Sequence, residues 1–110
     1  MKGIDYQWHD DFHVVRVSGE VDLSWSQDLR RAILDALKEG VGVGVDMAAV
    51  SYIDSSGIAA LVEGFQNARA KGQRFALLAI SAPVKSVLEL ARLDRVFPIF
   101  ADLEAARDAP

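Results

Sequence analysis

The sequence predicts an α/β fold, a mixed sheet of four to five strands in which an N-terminal β-hairpin is followed by alternating helices and parallel strands. Two segments, "IDYQWH" and "FHVVRVSG", are rich in β-branched and aromatic residues, and the turn-favouring Asp10 and Asp11 lie between them. Beyond residue 24 the apolar residues alternate between helical and strand patterns. Strand-helix-strand crossovers place their strands parallel, so the order ββαβαβαβα is expected.

Three segments have the spacing of amphipathic helices, and a short fourth one, "DLEAARDAP", ends the chain. In the first, residues 25–39, apolar side chains recur every four positions, and Gly40 is placed to end the helix. The second begins at "DSSG", where either Asp54 or Ser55 can cap it, and ends near Gly72. The third follows Ser81, which is a candidate helix cap.

Three further segments are predicted strands. "VGVGVDM" is expected to end at Asp46, and its glycines lie inside a valine run rather than leading into a helix, which disfavours a phosphate-binding loop. "FALLAI" is a continuous apolar run, typical of a central strand covered on both faces. "RVFPIF" contains Pro98, which favours an edge strand.

Composition limits the possible functions. The 110 residues are 51% hydrophobic and 25% charged, which predicts one domain spanning residues 1–110. The net charge of -4 and the scattered lysines and arginines disfavour nucleic acid as a partner. The absence of cysteine excludes disulfides and thiolate metal sites. No apolar run is long enough to cross a bilayer and no signal peptide is recognisable, so we expect a cytoplasmic protein without membrane insertion.

Three carboxylates are candidates for one acidic rim at the carboxyl ends of the strands, where open sheets meet ligands and partners. Asp22 follows the second strand, Asp46 ends the valine strand and Asp54 precedes the second helix. The simpler alternative is that these side chains are solvated caps of loops and helices.

The hydroxyls of "DSSG" are the remaining chemical candidates. A hydrolytic serine needs a positioned base, but the only histidines, His9 and His13, belong to the N-terminal hairpin, where we interpret them as exposed strand residues. We therefore predict no enzyme activity, no metal and no cofactor. A helix N-terminus tolerates a phosphate, so phosphorylation of Ser55 or Ser56 would change the charge of a docking surface by about -2 without unfolding it.

Three stretches resemble the STAS family, which includes domains of sulfate transporters and the anti-sigma factor antagonists. "SGEVDLSWSQDL" resembles the Gly-Glu-x-Asp turn of that family, and "VDMAAVSYIDSSGIAAL" resembles its phosphorylation loop and second helix. "LLAISAPVKSVLELARLDRVFPIF" is similar to its last strand-helix-strand segment. The resemblance extends from about Tyr6 to Leu103 and implies a STAS-like sheet.

For the antagonists, the resemblance implies partner switching in transcription regulation. A partner that is both anti-sigma factor and serine kinase binds the unphosphorylated form and phosphorylates the serine after the motif aspartate. A PP2C-type phosphatase reverses the modification. In this chain the phosphorylated residue would be Ser55, with Ser56 as second choice. The partner-binding residues would be Asp22, Asp46, Asp54, Ser56 and Gly57.

The resemblance also leaves a second role open. STAS domains include the small subunit of bacterial phospholipid-transport ABC complexes, which docks on the transporter ATPase, and there the serine can act as a contact. Because "DSSG" keeps both hydroxyls, the antagonist is favoured.

Overall fold

The computed structural model describes residues 3–109, which form five strands and four helices. In chain order these are β1 (Gly3–Trp8), β2 (Phe12–Val21), α1 (Ser26–Leu37), β3 (Gly42–Ile53), α2 (Ser55–Ala70), β4 (Phe75–Leu78), α3 (Ala82–Leu90), β5 (Ile99–Phe100) and α4 (Leu103–Asp108). The predicted order of elements is therefore confirmed.

The strands form one mixed sheet in the order β1-β2-β3-β4-β5. β1 and β2 are an antiparallel hairpin, and every later pair of neighbours is parallel. The predicted fold class is confirmed, with β5 as the expected edge strand next to Pro98, although it is only two residues long.

Helices cover both faces of the sheet, as the alternation of strand side chains requires. In β2, Val15 and Val17 belong to a large core shared with α1, α2 and α3. Phe12 and Val14 point the other way, into a smaller core completed by Ala106 of α4. α1, α2 and α3 thus pack on one face and α4 packs on the opposite face.

The prediction that β3 ends at Asp46 is wrong. β3 continues seven residues further, to Ile53, and pairs with β2 up to that end, with two shifts of register on the way. β4 stops at Leu78, opposite Asp46, so the last part of β3 has a neighbour on one side only. β4 is buried as predicted, but β3 occupies the centre of the sheet.

The ends of the helices follow the predicted signals. Gly40 and Gly72, which follow α1 and α2, have φ values of 78° and 69° in the left-handed region that favours glycine. Ser81 is the N-cap of α3, and its hydroxyl also donates to the carbonyl of Val50 at 2.6 Å. α4 is held by an ion pair of 2.8 Å between Arg107 and Asp11.

Within residues 3–109, each helix is either too short or too polar to cross a membrane.

Candidate functional site

The candidate site lies where β2 and β3 end side by side. Val21 and Ile53 are paired as the last residues of the two strands. Asp22 and Asp54 follow them directly, and the amide of Asp54 donates to the carbonyl of Val21 at 3.1 Å. Because adjacent strands lie about 4.8 Å apart, the two aspartates start from neighbouring positions. We call this pair, Asp22 and Asp54, the acidic rim.

Asp54 is the N-cap of α2. Its Oδ1 accepts hydrogen bonds from the amides of Ser56 and Gly57, at 2.9 and 3.2 Å, and from the Ser56 hydroxyl at 2.5 Å. These bonds occupy amides that no helix carbonyl can reach, and they place an anion at the positive end of the helix dipole. The Ser56 hydroxyl, followed by the amides of Gly57, Ser56 and Leu23, keeps the pKa of Asp54 below its ordinary value of 3.8. Asp54 is therefore an ionised cap.

Gly57 allows α2 to begin directly on the sheet. A Cβ at this position would lie 2.7 Å from Cγ1 of Ile53 and 2.9 Å from Cγ1 of Val21. Both neighbours are buried core side chains, so neither can move away cheaply. Gly57 itself is buried, which gives it a packing role in positioning the start of α2 instead of an exposed place on the predicted partner surface.

The two serines of "DSSG" have different environments. Ser56 is half-buried and its hydroxyl is bonded to Asp54. Ser55, the first residue of α2, is exposed, and within residues 3–109 its hydroxyl has no hydrogen-bond partner. With Asp54 as the cap, the next residue points outward and the one after it bonds back to the cap. Ser55 is the more accessible hydroxyl for an incoming group.

Asp22 shapes the loop between β2 and α1. Its Oδ1 accepts from the amide and the hydroxyl of Ser24, at 3.0 and 2.5 Å, which is the geometry of a local turn. Its carbonyl accepts from the amides of Trp25 and Ser26 at the start of α1. Asp22 therefore orders the loop that faces Asp54.

The predicted grouping of three carboxylates is wrong for Asp46. This residue lies within β3, seven residues before the strand end, instead of following the strand. Its Oδ2 is 3.8 Å from Nε of Arg16 on β2, and its Oδ1 accepts from the amide of Ala48. Only Asp22 and Asp54 come together at the strand ends.

Two exposed apolar side chains beside the acidic rim were missed in the sequence. Leu23 follows Asp22 and is 75% exposed, and Tyr52 precedes Ile53 and is 50% exposed. The exposure of Leu23 could have been predicted from the sequence, because it is an apolar residue in a polar turn and fits neither the strand nor the helix periodicity. Exposed apolar groups bordered by polar ones are typical of protein contact surfaces.

A small cleft adjoins the site between α1 and α2. It has a volume of about 170 Å³ and is lined by Ser26, Ser56, Arg30 and Glu63, among others. Arg30 and Glu63 form an ion pair across it, so its charges are matched.

Neither histidine lies near the serine hydroxyls of the site. His13 is at the start of β2, about eight strand residues or roughly 25 Å from the acidic rim. His9 lies between β1 and β2, and both histidines are half-buried, so they are not the exposed strand residues predicted. Within residues 3–109 no three His, Cys, Asp or Glu side chains form a group that could hold a metal ion. The arrangement fits a hydroxyl that accepts a transferred group and a surface that contacts a partner protein.

Comparisons with known proteins agree with this fold. A family model described as "STAS domain" matches residues 3–106. An anti-sigma-B factor antagonist of Staphylococcus epidermidis is 29% identical over 86 residues, which cover 77% of this chain and 80% of that protein.

Solved structures have the same fold. An anti-sigma factor antagonist from Mycobacterium paratuberculosis has a TM-score of 0.85 at 25% identity, over 97% of this chain and 92% of its own. The anti-sigma factor antagonist SpoIIAA in its unphosphorylated form has a TM-score of 0.80 at 24% identity, over 96% of this chain and 94% of its own.

Proposed function

The chain belongs to the STAS domain family, and from this premise we propose that it is an anti-sigma factor antagonist whose binding to an anti-sigma serine kinase is switched off by phosphorylation of Ser55. The antagonist names of its relatives support the first part of the proposal. The geometry of the acidic rim supports the second. The chain acts as a single domain and is the substrate of the kinase, with no catalytic role of its own.

The exposed hydroxyl of Ser55 at the start of α2 carries the proposal. A kinase must reach the acceptor oxygen without unfolding its substrate, and Ser55 is exposed while Ser56 is bonded to Asp54. The positive end of the α2 dipole also favours a negative group at this position, although the amides of Ser56 and Gly57 are already bonded to Asp54. Phosphorylation of Ser55 therefore leaves the cap and the fold intact.

The switch acts through the surface that docks on the partner. A phosphate adds about -2 charge next to the ionised Asp54 and close to Asp22. A partner that covers the acidic rim in the unphosphorylated state would have to desolvate a dianion beside these carboxylates, which costs several kcal/mol unless new cations compensate. The predicted result is loss of binding while the folded domain persists.

Leu23 and Tyr52 would supply the apolar part of this interface. They flank the acidic rim and are 75% and 50% exposed, so a partner that covers them gains buried apolar area without any change in this chain. Because Tyr52 lies three residues before Ser55 and Leu23 follows Asp22, we expect a partner docked on these two side chains to cover the Ser55 hydroxyl as well. The contact surface and the modified group are then one site.

The antagonist role is favoured over the subunit of a phospholipid-transport ABC complex, because the relatives reported above carry antagonist names. Sigma factors act in the cytoplasm, where the proposed partner kinase and a PP2C-type phosphatase would also work. Asp46, which the sequence analysis placed among the partner-binding residues, is not part of the proposed interface, because it lies within β3 and away from the acidic rim.

The test is phosphorylation of the full chain by the anti-sigma serine kinases of its source organism, followed by mass spectrometry. The expected result is one added phosphate on the unmodified chain and on Ser56→Ala, and none on Ser55→Ala. Circular dichroism of the variants checks that they are folded. Phosphate on Ser55→Ala, or none on the unmodified chain with any of these kinases, contradicts the proposal.

A further inference from the structure

A second concave site lies at the opposite end of the sheet from Ser55. It is a pocket of about 320 Å³, and six side chains carry its chemistry: Phe12, Phe65, Phe75, Phe100, Arg69 and Arg74. We call it the phenylalanine pocket. Small-molecule sites are typically concave, mostly apolar and of about 300 to 1,000 Å³, with a few polar groups that orient the ligand. The phenylalanine pocket fits this description.

The pocket is largely apolar, and its exposed ring surface comes from the half-buried Phe65 and Phe100, because Phe12 and Phe75 are only 1% and 4% exposed. Phe65 and Phe75 have centroids 6.0 Å apart with tilted rings, and Phe12 and Phe100 contribute from the other face of the sheet. Aromatic rings pack favourably on one another in tilted and offset geometries. The volume of about 320 Å³ lies near the lower end of the range for small-molecule sites, which favours a small ligand.

The two arginines of the pocket differ in how many of their hydrogen-bond donors are unused. The Arg74 guanidinium donates to the carbonyls of Ala106, Arg107 and Ala109 at the end of α4. The Arg69 guanidinium lies 5.7 Å from the centre of the Phe65 ring, and within residues 3–109 it has no ion pair and no hydrogen bond. Arg69 therefore keeps its donors for an anion at the pocket mouth.

Arg69 also lies in the last turn of α2, where a cation complements the helix dipole. That role accounts for a positive charge in this turn but not for its place over an apolar pocket. An exposed lysine or arginine on any side of the turn would serve the dipole equally well.

We propose that the phenylalanine pocket binds a small aromatic carboxylate, whose ring packs against the accessible surface of Phe65 and Phe100 and whose carboxylate pairs with Arg69. The proposal is independent of the antagonist role. Arg69 is 14 residues from Ser55 along α2, or about 21 Å at 1.5 Å per residue, so the ligand does not reach the acidic rim.

The test is a titration of the ¹⁵N-labelled chain with 3-phenylpropionate, followed through backbone amide shifts. The neutral 3-phenylpropanamide has the same size without the charge, and acetate has the charge without the ring. Saturable shifts are expected at Phe75, Ala76 and Phe100, with a dissociation constant of about 0.1 to 5 mM for a ligand of this size. The amide should bind at least about fivefold more weakly, and acetate should not saturate.

Variants of the chain separate the effect of the Arg69 charge on ligand binding from effects of charge elsewhere on the surface. Arg69→Gln should weaken binding of the acid about fivefold and leave binding of the amide unchanged. Arg95→Gln removes an exposed arginine outside the pocket, and Ser55→Ala alters the distant site, so both should bind like the unmodified chain. Absence of saturable shifts at the pocket amides, equal affinity for acid and amide, or an unchanged affinity in Arg69→Gln would each overturn the proposal.

Discussion

Replacing Asp54 by alanine tests whether this side chain fixes the start of α2. The change removes three hydrogen bonds to Oδ1, two from backbone amides and one from the Ser56 hydroxyl. Loss of an N-cap costs about 0.5 to 2 kcal/mol, and the additional loss of an anion at the helix N-terminus costs about 0.3 to 1 kcal/mol. We expect the free energy of unfolding to fall by about 1.5 kcal/mol.

Urea denaturation followed by circular dichroism measures this loss. With a slope of about 1.5 kcal/mol per M of urea for a domain of this size, the midpoint should fall by about 1 M. Asp54→Asn keeps the acceptor oxygen and loses the charge, so its midpoint should fall by about a third of that amount.

Asp102 provides a matched control, because it caps α4 through a single bond of 2.9 Å from the amide of Ala105. Its replacement by alanine should cost about 0.5 kcal/mol, since α4 is short and lies at the end of the chain. Equal midpoints for Asp54→Ala and the unmodified chain would refute the assignment of Asp54 as the cap that holds α2.

The depressed pKa of Asp54 gives the same prediction a pH dependence. Because the pKa in the folded state lies below the ordinary value of 3.8, the stabilisation is fully present above that value. It is lost as the pH falls through the lower, folded pKa. The difference in unfolding free energy between the unmodified chain and Asp54→Asn should therefore be constant near pH 7 and shrink below about pH 4. A difference that persists unchanged at pH 2 would contradict the ionised cap.

Three further substitutions test the surroundings of the site. Gly57→Ala should lower the unfolding free energy by about 1 to 3 kcal/mol in urea titrations, because the new Cβ would lie 2.7 Å from Ile53, and a stabilised variant would contradict the close approach. Leu23→Ser should leave stability unchanged and weaken kinase binding about tenfold by calorimetry, since the side chain is 75% exposed, and unaltered affinity would remove it from the interface. Ser81→Ala should cost about 1 to 2 kcal/mol through loss of the cap and of the 2.6 Å bond to Val50, and a thermal midpoint equal to that of the unmodified chain would argue against this bond.

Periodicity was sufficient to predict the helices that carry the site. In α1 the four-residue spacing of Leu29, Ile33 and Leu37 matches side chains that are fully buried in the structure. The start of α2 was equally readable, because an aspartate before small residues and an apolar pattern indicates a cap. These features depend on local sequence alone, which is why they were predicted correctly.

The end of β3 depended on tertiary context. After Asp46 the strand contains the exposed Ala48 and Ala49, which look like a loop. Ala48 falls in a shift of the register with β2, but Ala49 is paired with Ser18 and the pairing continues to Ile53. On its other edge this part of β3 has no neighbouring strand, because β4 ends at Leu78. The sequence of one strand does not show how far its neighbours extend beside it. This is why Asp46 was wrongly predicted to lie at the end of β3.

The difference between the two serines also required the structure. The sequence indicates a cap at "DSSG" but leaves Asp54 and Ser55 as alternative capping residues. Once Asp54 takes that position, Ser56 is bonded to it and Ser55 is left exposed. A shift of one residue in the cap would exchange these roles.

The most direct test of the switch is the affinity of the anti-sigma serine kinase for two forms of this chain, unmodified and phosphorylated on Ser55, measured by isothermal titration calorimetry. Both forms should give the same far-ultraviolet circular dichroism, because the phosphate is accommodated at the start of α2. We predict that phosphorylation weakens binding at least about tenfold, through the added charge beside Asp54 and Asp22. Equal affinity of the two folded forms would contradict the account.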